Sequence, residues 1–244
     1  MKAPLFLLHG YAGQPGSWRT ISSLLPHRTC LAPALFGHDP AIEVTAPIPF
    51  EEQVSRIVDA LPPAPVRLVG YSLGGRVALG VLARARGRIA SAVIIGANPG
   101  LASIEERASR VAADAGWARM LRERGLDAFI EAWEAQPLFA SQARSPAPAR
   151  AEQRALREEH RAASLAHAMT ALGLGAMPDY TPLLPRMDLP IDLVVGALDA
   201  KFALVAASMM TSLPRATLHT IEDAGHNVVL EQPEALARVL DADG

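Results

Sequence analysis

The chain predicts an α/β fold: a mostly parallel sheet flanked by helices, with a helical cap inserted after the SAVIIG run. Two observations carry this. Six short apolar runs, PLFLL, TCLAP, VRLVG, SAVIIG, IDLVVG and ATLHTI, alternate with helical apolar spacing around 17–25, 51–60, 73–86, 203–213 and 233–241. Such alternation is the mark of parallel strands joined by crossover helices. It stops between Asn98 and about Asp179, where three helix-like stretches broken by SQARSPAPAR carry no strand signal. The predicted division is a core of 1–97 and 180–244 with a cap over 98–179.

A chain of 244 residues that is 50% hydrophobic can bury a full core as one domain. Its 23 Lys and Arg against 25 Asp and Glu leave a formal charge of -2, without a basic block to attract nucleic acid or an acidic membrane surface. Cys30 is the single cysteine, so no internal disulfide and no cysteine metal cluster is expected. No apolar run reaches membrane-spanning length, and the first residues lack a cationic leader pattern. A cytoplasmic protein with a small-molecule partner is the expectation, without membrane insertion and with no protein partner evident.

The stretch VGYSLGGRVAL places Ser72 where an apolar run turns into a helical pattern. At so tight a turn the backbone approaches its own neighbours, and Gly70 and Gly74 supply the room. This G-x-S-x-G pattern is a nucleophile elbow. It lifts the serine hydroxyl to a helix N-terminus and leaves the Leu73 N–H free to donate to an oxyanion.

In a parallel sheet, ligands collect beyond the carboxyl ends of the strands. Ser72 follows VRLVG, Asp199 follows IDLVVG, and His226 follows ATLHTI in EDAGHNVVLEQP. Their order is the chain order of the α/β-hydrolase triad. The chemistry needs these types: a neutral imidazole takes the serine proton, and a carboxylate fixes its tautomer and steadies its charged form. In LLHGYAG, after the first run, His9 and Gly10 turn the chain so that the Tyr11 N–H supplies a second oxyanion donor. Asp223, three residues before His226, is a rival acid; Asp199 is preferred because it follows a strand. His27, His160, His167 and His219 read as surface or packing residues, and His38 as a loop residue near the site entrance. No H-E-x-x-H or phosphate-loop pattern is present, so no metal or other cofactor is implied.

The stretches LHGYAG, GYSLGGRVAL, NPGLASIEERASR, EAWEAQPLFAS, ALRE, LDAKF and AGHNVVLEQPE make the chain resemble the 2-succinyl-6-hydroxy-2,4-cyclohexadiene-1-carboxylate synthases of menaquinone biosynthesis, which have the α/β-hydrolase fold. That resemblance implies a lyase that eliminates pyruvate from a cyclohexene dicarboxylate, with the serine of the triad as base. It assigns the triad to Ser72, Asp199 and His226, carboxylate binding to Arg76, Arg110 and Arg157, and site-lining positions to Tyr71 and Trp133, with His9 beside them. A small anionic substrate suits planar guanidinium forks. Over 98–178, however, ten arginines face ten acidic residues, which reads as solvated helix faces for most of them.

The chain departs from the family's usual pattern at Ala34, at Met177, where a glutamine is usual, and at His160, where an asparagine is common. The stretch before Arg157 is about three residues longer. Two other classes stay open: a carboxylesterase or thioesterase working through the same serine and histidine, and a non-catalytic small-molecule binding protein on the same fold.

Overall fold

The computed structural model describes residues 2–242. In chain order it runs β1 (Leu5–Leu8), α1 (Arg19–Leu24), β2 (Cys30–Leu31), α2 (Phe50–Ala60), β3 (Val66–Tyr71), α3 (Leu73–Ala85) and β4 (Ile89–Ile95). It continues with α4 (Ile104–Glu134), α5 (Ala147–Glu158), α6 (Ala162–Leu172), β5 (Ile191–Gly196), α7 (Ala200–Met210), β6 (Ala216–Ile221), α8 (Val228–Glu231) and α9 (Pro233–Asp241). The sheet order is β2-β1-β3-β4-β5-β6, and every neighbouring pair is parallel.

The central strands are apolar on both faces because helices cover both. Leu5, Leu7, Val69, Val93 and Val194 pack with Trp18, Ile21, Leu236 and Leu240 on one side. Phe6, Leu8, Leu68, Ile94 and Leu193 pack with Phe50, Val77, Val81 and Met209 on the other. Each buried Leu, Ile or Phe contributes about 1.5–3 kcal/mol, so these two layers are the main source of stability.

All six expected strands form, with two differences of extent. TCLAP shortens to Cys30–Leu31, because this edge strand runs into Pro33, which has no N–H to give. The SAVIIG strand begins earlier, at Ile89, with a register irregularity opposite Val66 and Arg67. Helix α7 also begins before its apolar pattern, since Asp199 caps it by accepting from Phe202 N–H at 3.2 Å.

Between β4 and β5 lie three helices, the first bent at Gly125, whose φ of 81 no α-helix accommodates. SQARSPAPAR divides at Pro146: its last residues form the opening turn of α5. Tyr180 N–H donates to Pro99 O at 2.8 Å, so the chain enters and leaves this helical segment at one place. The segment has its own small core, in which Ala118, Leu121, Phe129 and Ile130 of α4 meet Leu165, Ala166 and Met169 of α6.

Candidate active site

The parallel register brings the ends of β3, β5 and β6 to one edge of the sheet, and the three predicted side chains follow those ends. Ser72 sits directly after β3 with φ 52 and ψ -107, a strained backbone for a residue with a side chain. The strain is held by close packing. A Cβ at Gly70 would overlap the backbone of Gly74, and one at Gly74 would overlap the Leu8 carbonyl at the end of β1.

His226 Nδ1–H donates to Asp199 Oδ2 at 2.7 Å, and the Ser72 hydroxyl donates to His226 Nε2 at 3.1 Å. Asp199 and His226 are only 6% and 3% exposed, so the pair is shielded from bulk water. The Asp199 carboxylate also caps α7, its Oδ1 accepting from Phe202 N–H at 3.2 Å. Asp223 is exposed in a turn with φ 57 and hydrogen-bonds nothing on His226 among the described residues. Chemically, this series can draw a proton from Ser72 and hold the resulting imidazolium.

Leu73 opens α3, so its N–H has no partner within the helix. Tyr11 lies in the turn closed by Gly13 N–H donating to Gly10 O at 3.0 Å. Gly10 lies against the elbow, where a Cβ would stand 2.8 Å from the Tyr71 ring and 3.6 Å from Ser72 Cβ. The Tyr11 side chain points elsewhere, donating to Leu165 O at 2.8 Å, and burial holds its phenol well above the ordinary range.

A cleft opens over Ser72, lined by Tyr71, Trp133, Phe139, Arg157 and Asn227 among others. The His226 ring lies 4.5 Å from Phe202, 5.5 Å from Tyr71 and 6.1 Å from Phe139, between ring centroids. Arg157 is buried, unlike the solvated helix faces expected for most arginines of 98–178, and its Nη1 donates to Glu134 Oε1 at 2.6 Å. His9 also lines the cleft, but both of its ring nitrogens serve the backbone. Nδ1 donates to Gly10 O at 2.8 Å, and Nε2 accepts from Leu35 N–H at 3.1 Å. Burial lowers its pKa to about 4.

Arg76 and Arg110 are not in the cleft lining. They meet at the junction of α3, α4 and α6, where Arg76 Nη1 donates to Leu172 O at 2.6 Å and Arg110 Nη2 pairs with the buried Asp114 at 2.8 Å. Burial, with Arg110 nearby, lowers the Arg76 pKa to about 10.

His38 corrects the reading of a residue at the site entrance: it is fully buried, 5.0 Å from His9 and 5.6 Å from His160 between ring centroids. The cause is the packing of its loop beneath α6, where Val44 N–H donates to Ser164 Oγ at 3.1 Å and Arg161 Nε to Pro40 O at 2.9 Å. Burial keeps all three imidazoles neutral, with His160 at about 4 and His38 well below its ordinary value.

Two groups of residues went unassigned in the sequence although they lie within its motifs. Phe139 of QPLFAS and Phe202 of LDAKF supply the rings around His226. Asn227 and Glu231 of AGHNVVLEQPE supply the polar contacts of its loop.

The sequence profile described as the alpha/beta hydrolase family matches residues 5–239, from β1 to α9. The chain belongs to the alpha/beta hydrolase family. Within that family it is 32% identical, over 97% of its length and 89% of the relative's, to a 2-succinyl-6-hydroxy-2,4-cyclohexadiene-1-carboxylate synthase of Enterobacter sp. (strain 638). Among solved alpha/beta hydrolases, MenH from S. aureus superposes with a TM-score of 0.91 at 24% identity, covering 98% of this chain and 91% of that one. A thermophilic esterase from Thermogutta terrifontis superposes at 0.80 with 23% identity, covering 98% and 88%. These superpositions show the shared fold. The resemblance carried by the sequence motifs to the synthase family therefore holds along nearly the whole chain.

Proposed function

We propose that the chain is a lyase that eliminates pyruvate from a cyclohexene dicarboxylate to give 2-succinyl-6-hydroxy-2,4-cyclohexadiene-1-carboxylate, with Ser72, His226 and Asp199 as its catalytic triad. The observation that carries the reading is the unbroken hydrogen-bonded series Ser72–His226–Asp199 at the floor of a cleft into which Arg157 faces. Its support from kinship is the synthase relative aligned over 97% of the chain.

In this mechanism His226 Nε2 takes the Ser72 proton, and the Ser72 oxygen removes a proton from the ring carbon beside the substrate ketone. The electrons form a new ring double bond and break the carbon–oxygen bond to the enolpyruvyl group. The departing enolate takes the proton held by His226 and leaves as pyruvate. Backbone N–H groups of Leu73 and Tyr11 stabilise the enolate oxygen formed in between. Arg157 holds a substrate carboxylate from the cap side. Arg76 and Arg110 join it when the substrate draws them from Leu172 O and Asp114. The reading carries the sequence-based expectations of a cytoplasmic enzyme with no cofactor; among the described residues no helix is long and apolar enough to cross a membrane.

One observation favours a second reading, a carboxylesterase or thioesterase for a small acyl group. Arg76 and Arg110 lie outside the cleft lining, and a neutral ester needs neither. The deciding experiment measures pyruvate release from the cyclohexene precursor beside a panel of p-nitrophenyl esters. Rapid pyruvate release supports the lyase; brisk ester cleavage without pyruvate release replaces it with the esterase.

A further inference from the structure

We propose that Glu231 is a positioning residue that sets the attitude of His226; this rests on Ser72, His226 and Asp199 being the reacting groups. The loop between β6 and α8 is held on its near side by the turn after β5, where Leu198 N–H donates to Ala224 O at 2.9 Å. From there to α8 its backbone depends on one carboxylate. Glu231 Oε2 accepts from Gly225 N–H at 2.8 Å, and Oε1 accepts from Asn227 N–H at 3.0 Å. These are the residues immediately before and after His226, so a single side chain spans the histidine in the chain.

Nothing else explains that carboxylate. Among the described residues no cation lies in ion-pair range of Glu231, and its hydrogen bonds are the two backbone N–H groups. Glu231 is half-buried, and hydrogen bonds from N–H groups to a carboxylate are strong. The surroundings leave the loop no slack. A Cβ at Gly196 would overlap Gly225 O, and one at Gly225 would overlap Ser141 of the cap. Helix α8 is capped in turn by Asn227, whose Oδ1 accepts from Leu230 N–H at 3.3 Å.

The clamp matters because the imidazole must satisfy two partners on opposite edges at once, Asp199 at 2.7 Å and Ser72 at 3.1 Å. A small rotation of the His226 backbone opens one of these distances, and misplacement by about 1 Å costs on the order of a hundredfold in rate. Glutamate is suited because both its oxygens accept. Glutamine keeps the size but turns an NH2 toward one of the two N–H groups.

The test uses Glu231→Gln and Glu231→Ala in the full chain, with three readings beside the melting temperature. A fluorophosphonate probe measures how fast Ser72 is modified, independent of the natural substrate. Steady-state assays with the cyclohexene precursor separate kcat from KM. The downfield proton resonance of His226 Nδ1–H reports the Asp199 contact without any chemistry. Glu231→Gln is expected to slow modification of Ser72 about tenfold, to lower kcat by a similar factor with KM within about twofold, and to shift the resonance. Glu231→Ala, where it folds, loses more. A Glu231→Gln protein with wild-type probe kinetics and an unshifted resonance overturns the proposal, even if it melts earlier, since Glu231 then serves stability alone. If wild type neither reacts with the probe nor releases pyruvate, the triad reading fails, while the resonance still decides whether Glu231 holds His226.

Discussion

Asp199 Oδ2 stands 2.7 Å from His226 Nδ1, whereas Asp223, far nearer to the histidine in sequence, faces solvent on a turn with φ 57. The carboxylate that reaches the imidazole is thus the one at the end of β5. Asp199→Asn is expected to lower turnover on the order of a thousandfold or more, because the amide favours the wrong tautomer of His226. Asp223→Asn should change it by no more than about twofold, as for other exposed substitutions. Steady-state rates of the two variants check this, and the opposite ranking moves the acid to Asp223.

Ser72 combines a hydrogen bond to His226 with a strained backbone. Ser72→Ala should abolish turnover, with losses on the order of a thousandfold or more, while its melting temperature stays near that of wild type. Ser72→Gly should be equally inactive yet more stable than Ser72→Ala by about 1 kcal/mol, since glycine relieves a backbone held at φ 52. Equilibrium denaturation of the two variants reads the difference.

Arg157→Ala should reduce turnover of the dicarboxylated precursor by tens- to thousands-fold, about 2–5 kcal/mol, through the loss of a buried partner for the substrate anion. Cleavage of a neutral p-nitrophenyl ester should change by no more than about threefold, and lysine at position 157 should restore only part of the loss. Equal losses on both substrates would count against a carboxylate contact.

Arg76→Ala should carry a double signature. Turnover of the precursor falls more than ester cleavage, and the melting temperature falls as well, because the carbonyl of Leu172 loses its donor. Retained precursor turnover would leave Arg76 as a brace for α6 alone.

The three buried imidazoles predict an acid limit to stability. His9 and His160 have folded values of about 4 against 6.5 in the unfolded chain, and His38 is lowered too. Above pH 6.5 neither state binds these protons. As pH falls from 6.5 toward about 4, the unfolded chain takes up protons that the folded one refuses. Stability then drops by up to about 1.4 kcal/mol per pH unit for each group. Denaturation series at several pH values should show this slope, and His160→Asn should make it shallower. A slope unaltered in that variant would remove His160 from the effect.

The sheet and the gathering of Ser72, His226 and Asp199 at its edge were legible because both depend on local signals. Strand ends show as apolar runs, and a parallel sheet gathers whatever follows them at one edge. What escaped depends on contacts distant in sequence. The burial of His38 follows from α6 lying across its loop, through Ser164 on Val44 and Arg161 on Pro40. Arg157 and Arg110 look alike as arginines on cap helices, yet one turns into the cleft beside Glu134 and the other stays with Asp114. Glu231 lay within a quoted motif, but only the folded loop shows its carboxylate spanning His226.

The hydrogen bond from Tyr180 to Pro99 ties together the two strands of chain that lead into and out of the helical segment. The two ends of the segment therefore leave the sheet side by side, while its flank is fixed to the core by Tyr11 on Leu165 O, Val44 on Ser164 and Arg76 on Leu172 O. A chimera that exchanges it for the equivalent part of another hydrolase has one covalent seam to match and these lateral contacts to rebuild, and the strand order, the elbow and the histidine loop lie outside the exchanged stretch. Arg110 and Arg157 travel with such a segment while Ser72, Asp199 and His226 stay with the sheet, which gives this architecture a natural modularity.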